Sequence, residues 1–155
     1  MFMKYKFLIH TDGGSRGNPG PAAAGAVIEA LQQVQGKATT EWKKEYGEHL
    51  GETTNNEAEY RAVILALKKL KHLIGGDKAG GSLVEIHVDS ELLERQLNGR
   101  YKIKDGNIKN LFLEIWNLKT DFGEVVFKHI PREENAEADR VVNQTLDKEA
   151  NKLNL

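Results

Sequence analysis

The sequence predicts an α/β fold in which a mixed β-sheet carries helices on its faces. Three segments with strand character come first along the chain, before any segment with helical periodicity. After them, helical and strand patterns alternate to the end of the chain. This order is typical of a mixed sheet, because hairpins join the antiparallel strands and helix-length connections join the parallel ones.

Five segments have strand character. The first contains the apolar run Phe7-Leu8-Ile9, and the fourth alternates apolar and polar residues. The second is rich in alanine, which by itself prefers a helix, but its position after a Gly/Pro-rich turn favours a hairpin strand. The predicted strands are residues 4–11, 22–30, 41–50, 83–88 and 124–130, with a turn at 32–39.

Four segments have helical character. Thr54 precedes the first, and Glu57 follows it at the spacing of a capping box. That helix is predicted to end at residue 74, before two glycines. Ser90 is the predicted cap of a short helix that ends at residue 97. The last two helices are predicted at 108–122 and 133–151, with a loop at 77–81.

Composition limits the possible functions. The chain has 155 residues, of which 39% are hydrophobic and 29% charged, as expected of one globular domain, predicted here at 1–150 with a short tail at 151–155. It has no cysteine, which excludes disulfides, thiolate metal sites and cysteine nucleophiles. No apolar run is long enough to span a membrane and no secretory segment is visible, so a cytoplasmic location without membrane association is expected. A net charge of −1 gives no overall attraction to nucleic acid, so such a partner needs local patches or metal ions.

Two aspartates and one glutamate are candidates for a metal site. Asp12 and Asp89 each follow an apolar strand, where mixed sheets present reactive groups. Glu57 and Glu59 lie about 200° apart around the first helix, so only one can face the sheet. Glu59 shares its face with Ala62, Val63, Ala66 and Leu70. An acid on an apolar face is costly to bury unless it is paired or binds metal, so Glu59 is the candidate and the cap explains Glu57.

The last helix repeats this pattern. Glu137 lies on a charged face, whereas Asp139 lies on the face of Ala138 and Val142. The four candidates are therefore two aspartates at strand ends and two carboxylates in first helical turns.

Four motifs contain these carboxylates. They are Thr11-Asp12-Gly13 followed by Gly17-Asn18-Pro19-Gly20-Pro21, then Thr54-Asn55-Asn56-Glu57-Ala58-Glu59, Val88-Asp89-Ser90, and Arg132-Glu133-Glu134-Asn135-Ala136-Glu137-Ala138-Asp139. In order and spacing they closely resemble type 1 ribonuclease H over essentially the whole chain. The resemblance implies a five-stranded mixed sheet of order 3-2-1-4-5 in which only the second strand is antiparallel. It also implies hydrolysis of the RNA strand of RNA/DNA hybrids, leaving 5′-phosphate and 3′-hydroxyl ends.

By this resemblance the catalytic and metal-binding carboxylates are Asp12, Glu59, Asp89 and Asp139. They are expected to hold two Mg²⁺ ions, for which Mn²⁺ can substitute, with Asp12 between both. Two ions about 3.5–4 Å apart can activate a water and stabilise charge on the attacking and leaving oxygens. Magnesium prefers oxygen ligands, so the five histidines need not be ligands. His129 matches a family histidine that shuttles protons or assists product release, with a structural strand-end histidine as the alternative.

The resemblance also implies contacts to the hybrid. The expected substrate-binding residues are Gly14, Arg16, Asn18, Thr54, Asn55 and Asn56. Thr54 resembles a residue that helps to hold a DNA phosphate, and short amides can reach the 2′-hydroxyls that distinguish RNA from DNA. The alternative is that Asn18 and Asn55 only satisfy backbone groups.

The chain resembles the short form of the family. Between Asp89 and the helix predicted at 108 it has no basic protrusion, only a small patch of Arg100, Lys102, Lys104 and Lys109 that could equally be a solvated loop. No N-terminal hybrid-binding domain is visible. We therefore expect a monomer with modest, salt-dependent affinity for hybrid. Some relatives of this form also cut RNA/RNA duplexes, which makes double-stranded RNA a second expected partner.

Two alternative functions fit parts of the sequence. A DNA-processing nuclease of the same superfamily fits the fold but lacks the Thr-Asn-Asn and Gly-Asn-Pro-Gly motifs. A non-catalytic hybrid-binding module would gain nothing from a cluster of carboxylates, which repels phosphate.

Overall fold

The structure, a computed structural model, describes residues 3–153. Its elements are β1 (Tyr5–Ser15), β2 (Gly20–Val34), β3 (Lys37–Thr53), α1 (Asn55–Ile74), α2 (Gly76–Gly80), β4 (Ser82–Val88), α3 (Glu91–Leu97), α4 (Gly106–Lys119), β5 (Glu124–His129), a 3-10 turn (Arg132–Glu134) and α5 (Ala136–Leu153). The strands form one mixed sheet in the order β3-β2-β1-β4-β5. β2 is antiparallel to both neighbours, while β1, β4 and β5 are mutually parallel. The predicted fold class, strand order and single antiparallel strand are confirmed.

Helices lie on both faces of this sheet. α1 packs on β1 and β2, and α4 packs against α1 on the same face. α5 packs on β1, β2 and β3 from the opposite face. The main core lies under α1, where Phe7, Ile9, Leu67, Ile86 and Ile115 are almost completely buried.

The alanine-rich second strand is confirmed, and its packing explains its composition. Ala24 packs against Ala62 of α1 on one face, and Ala23 packs against Val142 of α5 on the other. Because helices cover both faces of β2, small side chains are required there. Tertiary packing therefore overrides the helical preference of alanine.

The turn predicted at 32–39 is wrong in extent. β2 continues to Val34 and β3 begins at Lys37, so only Gln35 and Gly36 connect them. Both have positive φ, 52° and 79°, which fits the tight turns that match the twist of a long hairpin. β1 likewise extends past its predicted end at residue 11 to Ser15, because it stays paired with β2.

α1 and α3, which correspond to the first two predicted helices, begin and end as predicted. The Thr54 hydroxyl accepts the Glu57 N–H at 3.2 Å and caps α1, but the Glu57 carboxylate accepts from the Thr53 hydroxyl, so the capping box is not reciprocal. The Ser90 hydroxyl caps α3 by accepting the Leu93 N–H at 3.1 Å.

Three other boundaries differ from the prediction. The loop predicted at 77–81 contains the short helix α2. α4 begins earlier than expected, because the Asp105 carboxylate caps it, and it ends at Lys119. The last helix begins at Ala136 rather than at 133, because the segment after Pro131 forms a separate 3-10 turn.

The C-terminal part of the described chain is helical. α5 runs to Leu153, through the predicted domain boundary at residue 150 and past the predicted helix end at 151. Residues 154–155 of the predicted tail lie outside the described residues. No helix between residues 3 and 153 is both long and apolar enough to cross a membrane.

Candidate active site

One open cleft beside β1 and β4 brings the four predicted carboxylates together. Its volume is about 330 Å³. It is lined by Asp12, Glu59, Asp89 and Asp139, together with Gly13, Gly14, Ser15, Arg16, Asn55, Arg132, Val142, Asn143 and Leu146. A cleft of about 450 Å³ between α1 and α4 is larger but has mixed charges, so the acidic lining rather than size distinguishes the candidate site.

The two aspartates from the strands lie where the sheet separates. Pairing between β1 and β4 ends at His10 and His87, two residues before Asp12 and Asp89. Asp12 itself is inside β1 rather than at its end, because it still pairs with Gly25 of β2. Beyond the last paired residues the two strands leave a gap, and both carboxylates lie at that gap.

A glycine lets α1 bring its glutamate to this gap. A Cβ atom on Gly13 would lie 2.2 Å from the backbone C and O of Ala58 and 2.5 Å from the backbone N of Glu59. The helix backbone therefore touches the strand backbone, which only glycine permits. Because Gly13 follows Asp12 directly, this contact places Glu59 beside the first aspartate.

A second glycine, Gly25, lets the first turn of α5 bring Asp139 to the cleft. A Cβ atom on Gly25 would lie 3.0 Å from the backbone O of Ala138, the residue before Asp139. α5 therefore approaches β2 closely at its first turn. Asp139 is exposed, whereas Asp12, Glu59 and Asp89 are half-buried.

The carboxylates perturb one another. Burial, together with the neighbouring charges of Asp89, Asp139 and Glu59, raises the pKa of Asp12 to about 8. Burial also raises the pKa of Glu59 to about 7, although a hydrogen bond from Ser90 opposes the rise. The site therefore favours either protons or a bound cation near neutral pH.

The donor set suits a hard divalent cation. All four side chains offer carboxylate oxygens, the ligands that Mg²⁺ and Mn²⁺ prefer. Within the described part of the chain, no three acidic or histidine side chains already form a closed metal cage.

These pKa shifts predict how the metal-free protein responds to pH. Asp12 and Glu59 have folded pKa values of about 8 and about 7, above their ordinary values of 3.8 and 4.5, so the folded state binds protons more tightly. Their contribution to stability is complete below about pH 4 and is lost as pH rises towards 8. In a chelator, the melting temperature should fall between pH 5 and 8 more steeply for the wild type than for the double variant Asp12→Asn, Glu59→Gln. Equal slopes would show that these two groups are not perturbed.

Comparison with known proteins assigns the family. A family profile described as reverse transcriptase-like matches residues 10–145. Bifunctional protein Rv2228c of Mycobacterium tuberculosis is 34% identical over 142 residues, which are 92% of this chain and 36% of that protein. Ribonuclease HI of Halobacterium salinarum is 37% identical over 136 residues, 88% of this chain and 62% of that protein. The chain thus spans between about a third and two thirds of these relatives, 36% and 62%.

Solved structures give the same result over nearly full lengths. LC11-RNase H1, isolated from compost, is 45% identical with a TM-score of 0.79, covering 94% of this chain and 98% of that one. The chain belongs to the type 1 ribonuclease H family. LC11-RNase H1 has also been solved in complex with an RNA/DNA hybrid, at 44% identity, a TM-score of 0.79 and coverage of 93% and 99%. The predicted family is confirmed, and with it the ribonuclease H class of enzymes.

This ribonuclease H site contains polar residues that sequence reasoning missed, namely Ser15, Arg132, Asn135 and Asn143. Arg132 and Asn143 line the cleft. Asn135 lies behind it, where its side-chain Nδ2 donates to Asp89 Oδ2 and to the Thr11 carbonyl, both at 2.8 Å. Arg132 and Asn135 belong to the last motif, so that motif was the available signal. Asn143 is one helical turn after Asp139, whose carbonyl accepts its Nδ2 at 3.1 Å.

The predicted substrate residues of the ribonuclease H motif surround the cleft, but not all of them line it. Gly14, Arg16 and Asn55 line it. Asn18 supports Asn55 by accepting its backbone N–H at 3.0 Å. The Asn55 side chain accepts from the Ser15 backbone N–H at 2.8 Å. Both asparagines therefore use their oxygens on the protein, as the structural alternative expected, and each retains an amide NH₂ for a ligand.

The side chains of Arg16, Thr54 and Asn56, which were also predicted to bind substrate, make other contacts or are buried. Arg16 forms an ion pair with Asp147 of α5 at 2.6 Å. Thr54 caps α1 and does not line the cleft. Within the described residues, Asn56 Oδ1 is buried without a hydrogen-bond partner.

His129 is not one of the residues that line the cleft. It is exposed at the end of β5, opposite Val88 of β4, the residue before Asp89. It is therefore beside the site and would have to move to reach it.

Proposed function

We propose that this chain is a metal-dependent endonuclease that hydrolyses the RNA strand of RNA/DNA hybrids, leaving 5′-phosphate and 3′-hydroxyl ends. The observation that carries the proposal is the convergence of four carboxylates in one open cleft of a type 1 ribonuclease H fold. The relative solved with an RNA/DNA hybrid supports hybrid as the substrate class.

Asp12, Glu59, Asp89 and Asp139 would hold the metal, with Mg²⁺ as the expected ion and Mn²⁺ as its substitute. When bound, such ions supply a water of lowered pKa and stabilise charge on phosphate oxygens. The chain's own contribution is to hold the four carboxyl groups around one cleft, where the raised pKa values of Asp12 and Glu59 show that a positive charge would be favourable. Their mutual repulsion in the free protein favours ion binding.

Recognition of RNA is assigned to the rim of the cleft. Asn18 and Asn55 have their oxygens fixed by backbone N–H groups, so their NH₂ groups are the donors that they can offer to a ligand. Such donors can contact minor-groove acceptors and 2′-hydroxyls, the groups that distinguish an RNA strand. Asn56 does not line the cleft and its Oδ1 is buried, so its proposed part in recognition rests on the family motif alone.

Affinity for the duplex should be modest and salt-dependent. Of the small basic patch, Arg100 already forms an ion pair with Glu94. Lys102, Lys104 and Lys109 are exposed and complete the patch. Because the net charge is −1, attraction to a duplex depends on local cations such as these, so affinity should be modest and should fall as salt rises. RNA/RNA duplexes are a second proposed substrate, as the resemblance to the short form of the family implies. A cytoplasmic location and a monomeric state stay predictions.

His129 is proposed to assist turnover from its exposed position at the end of β5. His129→Ala should lower kcat by roughly tenfold or more while the melting temperature stays unchanged, because general acid–base groups contribute at least that much. His72→Ala, an exposed histidine on α1 outside this cleft, is the matched control and should have no effect. Unchanged turnover in His129→Ala would show that His129 is a structural strand-end histidine with no role in turnover.

The function is tested with three labelled duplexes, two of which contain a labelled RNA strand. The RNA is annealed to DNA or to RNA, a labelled DNA duplex serves as the third substrate, and each is incubated with Mg²⁺ or with a chelator. We expect Mg²⁺-dependent cleavage of the hybrid, weaker cleavage of RNA/RNA and none of DNA/DNA. Binding of hybrid without cleavage would favour the binding-module alternative, and cleavage of DNA would favour a DNA-processing nuclease.

A further inference from the structure

We infer that Asn135 is a positioning residue, whose side-chain amide fixes Asp89 and the backbone beside Asp12 in one arrangement. The inference rests on the proposed function, because it matters only if Asp89 acts in cleavage. Asn135 lies between the 3-10 turn and α5 and is 1% exposed. It does not line the cleft, so it acts through its neighbours.

Both hydrogens of one amide group are used. Asn135 Nδ2 donates to Asp89 Oδ2 at 2.8 Å and to the backbone O of Thr11 at 2.8 Å. Thr11 directly precedes Asp12. The amide therefore joins the start of α5, the end of β4 and the middle of β1, the three elements that provide three of the four carboxylates.

This orientation does not serve helix stability. Asn135 is the N-cap residue of α5, because its carbonyl accepts the Asp139 N–H at 3.1 Å. An asparagine at that position normally uses its side-chain oxygen to cap the first turn. Here Oδ1 is buried and has no hydrogen-bond partner within residues 3–153.

The other helix caps behave differently. Thr54, Ser90 and Asp105 each accept N–H groups of the helix that follows them. Asn135 does not make such a capping bond to α5. Its buried Oδ1 has no hydrogen-bond partner among residues 3–153, and this destabilises the folded state. The two hydrogen bonds donated by Asn135 Nδ2 offset this cost, and both acceptors, Asp89 and the Thr11 carbonyl, belong to the candidate site.

The chemistry of the donor also fits a metal-binding carboxylate. A neutral amide holds Oδ2 of Asp89 without cancelling the negative charge that a cation needs. Hydrogen bonds of this kind orient metal ligands, and their loss costs about 10–100-fold in metal affinity or activity.

Asn135→Ser tests the inference. The shorter hydroxyl cannot reach Asp89 but can cap α5. We expect an unchanged or raised melting temperature, a kcat lowered about 10–100-fold with KM within about threefold, and a smaller rise in melting temperature on adding Mn²⁺ alone. Asp105→Ala, which removes the cap of α4 and changes a residue that does not line the cleft, should lower the melting temperature and leave kcat unchanged.

The outcomes separate this inference from the function it rests on. If the wild type cleaves hybrid and Asn135→Ser keeps kcat within about twofold, the inference is overturned and the function stands. A fall in kcat that accompanies a melting temperature below that of Asp105→Ala assigns Asn135 a structural role and also overturns it. If the wild type does not cleave, the function fails, and an Mn²⁺ response equal in wild type and Asn135→Ser overturns the positioning role independently.

Discussion

Asp12→Asn should abolish cleavage and stabilise the metal-free protein at the same time. Asp12 is the most perturbed carboxylate of the cleft, with a pKa raised to about 8 by burial and by three acidic neighbours. Loss of its charge removes a metal ligand that supports several kcal/mol of transition-state stabilisation, so the rate should fall by about 10³-fold or more. The same change removes a half-buried, repelled charge, which should raise stability in chelator at pH 8 by about 1–3 kcal/mol, or about 3–10 °C.

The opposite signs of the two effects make this prediction specific. The stability gain should shrink as pH falls from about 8 towards 4, because the folded wild type becomes protonated at Asp12 over this range and its repelled charge is lost. Asp77→Asn, an exposed aspartate on α2, is the control and should change neither rate nor melting temperature. Cleavage retained by Asp12→Asn, or a loss of stability in chelator at pH 8, would remove Asp12 from the site.

Gly13→Ala should damage both the fold and the site. The added Cβ atom would lie 2.2 Å from the Ala58 backbone, and a backbone atom inside a packed helix cannot move aside as a flexible side chain can. Overpacking typically costs 1–3 kcal/mol, and this contact should cost about 3 kcal/mol or more. Because α1 must shift, Glu59 moves too, and a displacement of about 1 Å can cost about 10²-fold in rate.

Calorimetry of the metal-free variant and its single-turnover rate check this prediction. Gly80→Ala is the matched control, because a Cβ atom there meets nothing within 4 Å and alanine is the better helix residue. It should leave the rate unchanged and the melting temperature equal or higher. A melting temperature of Gly13→Ala within about 2 °C of the wild type would show that α1 and β1 are not in direct contact.

The choice of carboxylates followed from rigid local geometry. A helix turns by a fixed angle per residue, so the neighbours of Glu59 decide its face before any tertiary structure is known. In the structure, Glu59 lies in the acidic cleft, whereas the Glu57 carboxylate accepts a hydrogen bond from the Thr53 hydroxyl. The sheet order, in contrast, depended on the resemblance to a family, because strand periodicity alone does not say which strands pair.

The unpredicted features involve partners far apart in sequence. The hydrogen bond from Asn135 to the Thr11 carbonyl spans 124 residues, and the ion pair of Arg16 with Asp147 spans 131. No local pattern contains such a pair. The lengths of β1, β2 and β3 were also underestimated, because the polar sequence around the hairpin resembles a loop and only cross-strand pairing extends the strands.

We claim that the four converging carboxylates, and not their neighbours in sequence, are the groups that cleave RNA in a hybrid. The most direct measurement compares single-turnover cleavage by Glu59→Gln and by Glu57→Gln in Mg²⁺, with the RNA strand labelled. We predict a loss of about 10²-fold or more for Glu59→Gln and a rate within about threefold of wild type for Glu57→Gln. Equal rates for the two variants, or a wild type that leaves the RNA strand intact, would contradict the claim.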